Sequence, residues 1–202
     1  MQHGIAFSGA NPRPLHTVDI IRSSAPRCLS HLLVCAHRSL EAGWTCTVLP
    51  PGGPNAFAFA TSHLESLDQA RERSNQMVQV FRELGDYEDA IFCGDTNINE
   101  HIDDKVVLGD GWQDVWELLR KDEQGFTFDV ETNAWLQKYD RWAVANKARL
   151  RFDRFWVRLR HYRAINISIL SEPLCSDHFG VVIDLESGVE AVPQRCSVVE
   201  NG

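Results

Sequence analysis

The sequence predicts an α/β fold in which sheets pack against helices, a sandwich and not a helical bundle. Three observations carry that expectation. Apolar stretches of strand length recur along the chain, at residues 18–21, 29–35, 45–49, 56–63, 90–93, 151–159, 165–170 and 179–185. The segment from residue 66 to 84 instead repeats its apolar residues at the three- and four-residue steps of a helix. Strand and helix patterns come in mixed order, which sheets packed with helices explain best. A chain of 202 residues, 44% hydrophobic and 24% charged, has the composition of a single soluble globular domain.

The elements follow in order. Residues 1–16 read as irregular, punctuated by Gly9 and Asn11-Pro12-Arg13-Pro14. Strands are expected near 18–21, 29–35 and 45–49. Pro50-Pro51-Gly52-Gly53-Pro54-Asn55 is a turn cluster, and the apolar, aromatic run AFAFATSH after it completes a hairpin signal. The strongest helix begins at Ser66, where Ser66 and Gln69 have the spacing of a capping box. Ala70, Ser74, Met77, Phe81 and Leu84 form its apolar stripe, and Gly85 ends it. Ala90-Ile91-Phe92-Cys93 is a short buried strand running directly into Gly94-Asp95-Thr96-Asn97. A second short helix starts at Asp114 and carries Val115, Trp116, Leu118 and Leu119. Three more strands follow, and the residues from about 187 read as a tail.

Composition excludes several classes. No apolar run approaches the ~18 residues that cross a bilayer, so no membrane partner is expected. The opening residues lack the pattern of a secretory signal. Six cysteines (Cys28, Cys35, Cys46, Cys93, Cys175, Cys196) form no CxxC pair, which points to reduced thiols in cytosol or nucleus. The net charge of −8 argues against a generally basic nucleic-acid surface. Residues 138–163 are the exception, with nine Lys or Arg against Asp140 and Asp153. That strip is either a solvated face or a guide for a phosphate-rich ligand.

Four polar clusters sit at strand ends: Thr61-Ser62-His63-Leu64-Glu65-Ser66, Gly94-Asp95-Thr96-Asn97, Arg151-Phe152-Asp153-Arg154 and Ser176-Asp177-His178. Strand-end loops are where a rigid sheet presents reactive side chains. The chemistry these residues suit is metal-assisted hydrolysis of a phosphodiester, which needs a base, donors for phosphate oxygens and a cation. Asp95 is the natural base, and Asn97 can orient water or donate to a phosphate oxygen. His178 can bond a non-bridging oxygen or help the leaving group, held in one tautomer by a carboxylate such as Asp153. His63 and Ser66 supply further donors, Ser66 with the amides of the helix start it caps. The adjacent Ser176, Asp177 and His178 cannot converge as a nucleophilic triad, and no GxSxG elbow is present.

The ordered set TSHLES, GDTN, RFDR and SDH resembles the endonuclease/exonuclease/phosphatase superfamily. Within it, Thr96, the TSHLES context and the phrases Asp114-Val115-Trp116-Glu117 and Phe126-Thr127-Phe128-Asp129 resemble the tyrosyl-DNA phosphodiesterase 2 group. The resemblance spans residues 17–186 and implies a DNase I-like four-layer fold, a two-layer β-sandwich flanked by helices. It also implies a Mg²⁺-dependent enzyme, Mn²⁺ being the substitute ion, that cleaves a 5′-phosphotyrosyl bond between DNA and a topoisomerase, with nuclear or cytoplasmic location. A topoisomerase-derived peptide would be a further partner. By the same resemblance Asp95 is the catalytic acid/base and Asn97 contacts the scissile phosphate. His63, Ser66 and His178 hold phosphate oxygens, Asp153 buttresses His178, and Asp177 orders the metal side. Phe128 and Phe152 wall a narrow DNA groove, with core packing as the plain structural reading of both.

The sequence departs from that family at three places. Only 62 residues precede His63, and they carry neither the Thr-Trp-Asn motif nor the metal-binding glutamate expected there, so an N-terminally truncated domain is the expectation. Leu67-Asp68 and Asn99 stand where the family has arginines, and residues 136–148 read as an insertion. The expectation for activity is therefore weak or absent turnover. The alternatives are another phosphodiesterase or endonuclease of the superfamily, or an inactive binding module.

Overall fold

The structure, a computed structural model, describes residues 17–22, 32–36, 44–48, 56–100, 106–174 and 176–187. Its elements in chain order are β1 (Thr17–Arg22), β2 (Leu32–Ala36), β3 (Trp44–Val48), β4 (Phe57–Thr61), α1 (Ala70–Glu83), β5 (Ala90–Asp95), β6 (Gln113–Asp114) and α2 (Val115–Arg120). They continue with β7 (Phe128–Asp129), α3 (Ala134–Tyr139), α4 (Arg141–Asn146), β8 (Arg149–Leu150), β9 (Asp153–Arg158), β10 (Tyr162–Leu170) and β11 (Gly180–Ser187). The expectations for residues 1–16, the 50–55 turn and the chain beyond 187 lie outside the described residues; Ser187 itself closes β11.

Two sheets face each other, one in the order β10-β11-β1-β2 and the other in the order β3-β4-β5-β9-β6. The expected hairpin is present, with β3 antiparallel to β4 from Trp44 opposite Thr61 to Val48 opposite Phe57. Strands β4 and β5 are buried along their whole length because both of their faces are covered. Alternation sorts their side chains. Phe57, Phe59, Ile91, Cys93, Phe155 and Val157 point to the other sheet, where they meet Ile167, Val181, Ile183 and Leu185. Ala58, Ala60, Ala90, Phe92 and Trp156 point the other way, onto Leu84 and the Met77, Val80 and Phe81 side of α1. Facing sheets with α1 on the outside are the described part of the expected α/β sandwich.

Helix α1 differs from its sequence reading at its start. It begins at Ala70, four residues after Ser66; Gln69 is the N-cap and makes no side-chain cap bond, so the capping box does not form. Leu67, at φ +58°, turns the chain in this stretch. The covered face runs Arg73, Gln76, Met77, Val80, Phe81, Leu84, while Ala70 and Ser74 are exposed. Two polar residues therefore occupy the first turns of the buried stripe, and both hold the loop below. Gly85 follows the C-cap Leu84 and donates to the Arg82 carbonyl.

The segment expected as an insertion folds as α3 and α4 over the β7-β8 ribbon. Asn133 and Asp140 cap the two helices through their side chains, and Lys147 ends α4 in the left-handed region at φ +49°. Leu136 and Ala143 face inward onto Phe128, Val130 and Leu150. Helix α2 begins at its Asp114 cap as expected and buries Val115 and Trp116, but Leu118 and Leu119 stay exposed.

Candidate active site

The site forms where one end of the five-stranded sheet meets the loop entering β11. Asp95 ends β5 and Asp153 begins β9, and the antiparallel register places them opposite each other. Their parity is that of Cys93 and Phe155, so both carboxylates face the other sheet. His178 arrives from that sheet, two residues before β11. Its Nδ1 lies 2.7 Å from Asp153 Oδ2, and its Nε2 lies 3.8 Å from Asp95 Oδ2. His63, just beyond β4, brings Nε2 to 3.5 Å from the same Asp95 oxygen. The other Asp95 oxygen accepts the Asn97 amide at 2.8 Å. One carboxylate is thus flanked by two imidazoles, one of them braced by a second carboxylate.

This packing sets the protonation of the site. Burial favours the neutral form of Asp95 and raises its pKa, with Asp153 adding to the rise and His178, His63 and the Asn97 amide opposing it. Burial works against the charged form of His178, but Asp153, Asp95 and Asp177 outweigh it and push its pKa up to about 10. The imidazole is therefore a cation at neutral pH. Phe128 meets its ring edge-on at 5.3 Å between centroids, and Phe152 stacks at 6.0 Å.

Neighbouring elements hold these residues by backbone bonds. Leu64 donates its amide to the Asp95 carbonyl at 2.8 Å, tying the His63 loop to β5. Gly94 sits at φ +151°, and a Cβ there would lie 2.0 Å from the Ser62 carbonyl oxygen, so only glycine lets the two strand ends close up beside Asp95. The buried Arg73 donates to the carbonyls of Glu65 and Leu67, and Gln76 accepts from the Glu65 amide. Those are the polar positions of the α1 stripe, and they fix the loop that carries His63.

The structure brings together Asp95, Asp153, His178 and His63, and sets Asn97, at φ +49°, beside them. Asn97 directs Nδ2 to the Leu64 carbonyl at 2.9 Å, so its amide is partly spent in holding the loop. Ser66 lies on the His63 loop but caps no helix, which corrects the expected pairing with helix amides. Phe128 belongs to the β7-β8 core, and the half-buried Phe152 packs on it, so Phe128 follows its plain packing reading while both rings wall the imidazole. Asp177 turns one oxygen to the Ser176 hydroxyl at 2.8 Å.

The basic strip is neither a solvated face nor a guiding surface at its centre. Arg151 and Arg154 are buried and pair with Asp114 and Glu100, Arg151 also with Glu117. Arg149 pairs with Asp129 and Glu131, and Arg158 caps α1 by donating to the carbonyls of Leu84, Gly85 and Tyr87. Arg160 pairs with Glu88 and Arg163 with Glu186. Lys138, Arg141 and Lys147 stay exposed on α3 and α4, among the exposed rings of Trp135, Tyr139 and Trp142.

Among the described residues, the group whose donor atoms all lie within 4.8 Å of one another is Asp95, Asp153 and His178; Asp177, the expected metal residue, is not in it. The donor set fits a divalent cation. Two carboxylates and an imidazole converge, and Asp153 Oδ1 is buried with no hydrogen-bond partner. His178 gives Nδ1 to Asp153 and, as a cation, offers no lone pair at Nε2, so the two carboxylates are the groups that would hold the ion.

No family model and no curated protein matches the chain. Solved structures do. The D. rerio TDP2 crystallised with a single-strand DNA product is 27% identical over 71% of this chain and 60% of its own, at a TM-score of 0.58. A truncated Caenorhabditis elegans TDP2 is 20% identical over 82% of this chain and 65% of its own, at 0.51. An endonuclease/exonuclease/phosphatase from Beutenbergia cavernae DSM 12333 is 21% identical over 71% of this chain and 39% of its own, also at 0.51. The chain thus spans less than two thirds of the length of these structures. The fold is that of the endonuclease/exonuclease/phosphatase superfamily, a class of phosphodiesterase- and nuclease-type hydrolases. Within that class it is TDP2-like.

Proposed function

We propose that this chain is a metal-dependent phosphodiesterase that hydrolyses the bond between a tyrosyl oxygen and the 5′-phosphate of DNA. The observation that carries the reading is Asp95, with His63 Nε2 at 3.5 Å and the Asp153-braced His178 Nε2 at 3.8 Å from one of its oxygens. In this reading Asp95 takes the proton of the attacking water as the bond from phosphorus to the tyrosyl oxygen breaks. Burial serves that role by raising the affinity of Asp95 for a proton. His178, protonated and held by Asp153, donates Nε2–H to a non-bridging phosphate oxygen, where negative charge builds. The half-exposed His63 and the Asn97 amide are placed to hold the phosphate from the open side. A divalent cation, Mg²⁺ or Mn²⁺, would be held by the carboxylates of Asp95 and Asp153, beside the protonated His178, and would neutralise phosphate charge.

The choice of DNA is supported by two things: the strand bound in the D. rerio TDP2 structure, and the exposed aromatic and cationic side chains of α3 and α4, which suit stacked bases and phosphates. A DNA substrate favours the nucleus as the site of action, with the cytoplasm as the alternative. The test is a 5′-tyrosyl oligonucleotide incubated with the purified chain and Mg²⁺ or Mn²⁺, beside abasic DNA, RNA and small phosphodiesters. Preferential release of a 5′-phosphorylated strand, abolished by EDTA, supports the reading. Preference for another ester moves the chain elsewhere in its superfamily, and binding without turnover makes it a binding module.

A further inference from the structure

We propose that Thr127 and Asn133 are positioning residues that set the Asp153–His178 pair, one clamping the strand that carries the carboxylate and the other the loop that carries the imidazole. Neither residue was singled out from the sequence for its own chemistry. Both are buried, Thr127 at 1% exposure and Asn133 at 0%, and they flank the two-residue strand β7. The Thr127 hydroxyl accepts the amides of Phe152 and Asp153, both at 3.1 Å. Its own amide donates to the Leu150 carbonyl at 3.0 Å, and its carbonyl accepts the Phe179 amide at 2.8 Å. A single residue thereby bonds the backbone at Asp153 and the residue following His178.

Asn133 holds the other side of the same loop. Its Nδ2 donates to the carbonyls of Ser176 at 3.2 Å and Asp177 at 3.0 Å, the two residues preceding His178. Its Oδ1 meanwhile accepts the amides of Trp135 and Leu136 and caps α3. The capping oxygen and the loop-holding nitrogen belong to one rigid amide, so the orientation of α3 and the position of the histidine loop are joined. The Asp153–His178 contact links residues 25 apart in sequence, and residues 176–178 are bends with no ladder of their own. Without these clamps, thermal motion of that loop would spread the 2.7 Å contact over a range of geometries. Its catalytic meaning rests on the phosphodiesterase reading above; the clamping itself does not.

The test reads the pair directly. In the full chain, free of metal and labelled with ¹⁵N-histidine, the His178 Nδ1 proton bonded to Asp153 gives a low-field resonance protected from exchange with water. Thr127→Val keeps the side-chain shape and leaves two amides without their acceptor, whereas Thr127→Ser keeps the hydroxyl. Asn133→Asp keeps a capping oxygen and removes both donors to the loop. The expected result is about tenfold faster exchange of that proton in Thr127→Val and Asn133→Asp, with Thr127→Ser close to the parent. Cooperative melting should persist in Thr127→Ser and Asn133→Asp; if Thr127→Val does not fold, Asn133→Asp decides alone. An unchanged resonance in the folded Val and Asp variants overturns the proposal, as does loss of the resonance in Thr127→Ser. In a chain that turns over, the same variants lower kcat more than they raise KM. Because the resonance needs no turnover, a clamped chain that hydrolyses nothing sinks the phosphodiesterase reading alone, and an active chain with an unresponsive resonance sinks the clamp alone.

Discussion

His178 lies between two buried carboxylates with its Nδ1 on Asp153, and its pKa rises from 6.5 to about 10. A folded-state pKa above the unfolded value means that the folded protein holds this proton more tightly. The stabilisation is fully present below pH 6.5 and is lost as the pH climbs through about 10. Urea unfolding of the metal-free protein between these limits should therefore show stability falling with pH in the parent and a flatter profile in His178→Gln; parallel profiles would contradict the assignment. The imidazole and its carboxylates were legible in the sequence because each lies in a short polar cluster beside an apolar strand, Asp95 after one and Asp153 and His178 before others. Thr127 and Asn133 were not, since their roles depend on backbone groups 23 to 52 residues away. Only the capping role of Asn133 left a local trace, as an Asn directly before Ala134-Trp135-Leu136.

Among the elements, β5 and β9 were readable as apolar runs, and their burial follows from lying inside a sheet covered on both faces. The start of α1 was misread because Ser66 and Gln69 have the right spacing, while the chain between them turns through Leu67 at φ +58° and enters the helix only at Ala70. The basic strip was misread for a different reason. Charge counted along the chain does not reveal that Glu100, Asp114 and Glu117, distant in sequence, neutralise Arg151 and Arg154 in the interior. Asp114 is the centre of that network: it accepts both guanidinium groups, the Trp156 indole and the Trp116 amide at the start of α2. Asp114→Ala leaves buried cations short of their partner, and the expected loss of unfolding free energy is about 3–5 kcal/mol. Chemical denaturation measures it, and a loss below about 1 kcal/mol would place the network nearer the solvent than its burial indicates.

At the scale of the whole molecule, the site exists because two sheets meet: one supplies His63, Asp95 and Asp153, the other the loop with His178. The same assembly pairs most of the basic strip with carboxylates, Arg151 and Arg154 in the interior and Arg160 and Arg163 on the surface. This leaves Lys138, Arg141 and Lys147 as its exposed cations outside those pairs among the described residues. Single-stranded DNA should then bind with a shallow salt dependence, a log–log slope of about −2 for three phosphate contacts, flattening further when the three are changed to Ala. A steep slope that survives those changes would point to a different surface. In the proposed reaction Asp95 delivers the chemistry at a phosphate gathered by His63 and His178. The most direct test is kcat/KM of Asp95→Asn on the 5′-tyrosyl oligonucleotide, with strand affinity measured alongside. The expected result is a fall of about 10²–10⁴-fold with the strand still bound; a fall of less than about tenfold would show that Asp95 is not the base.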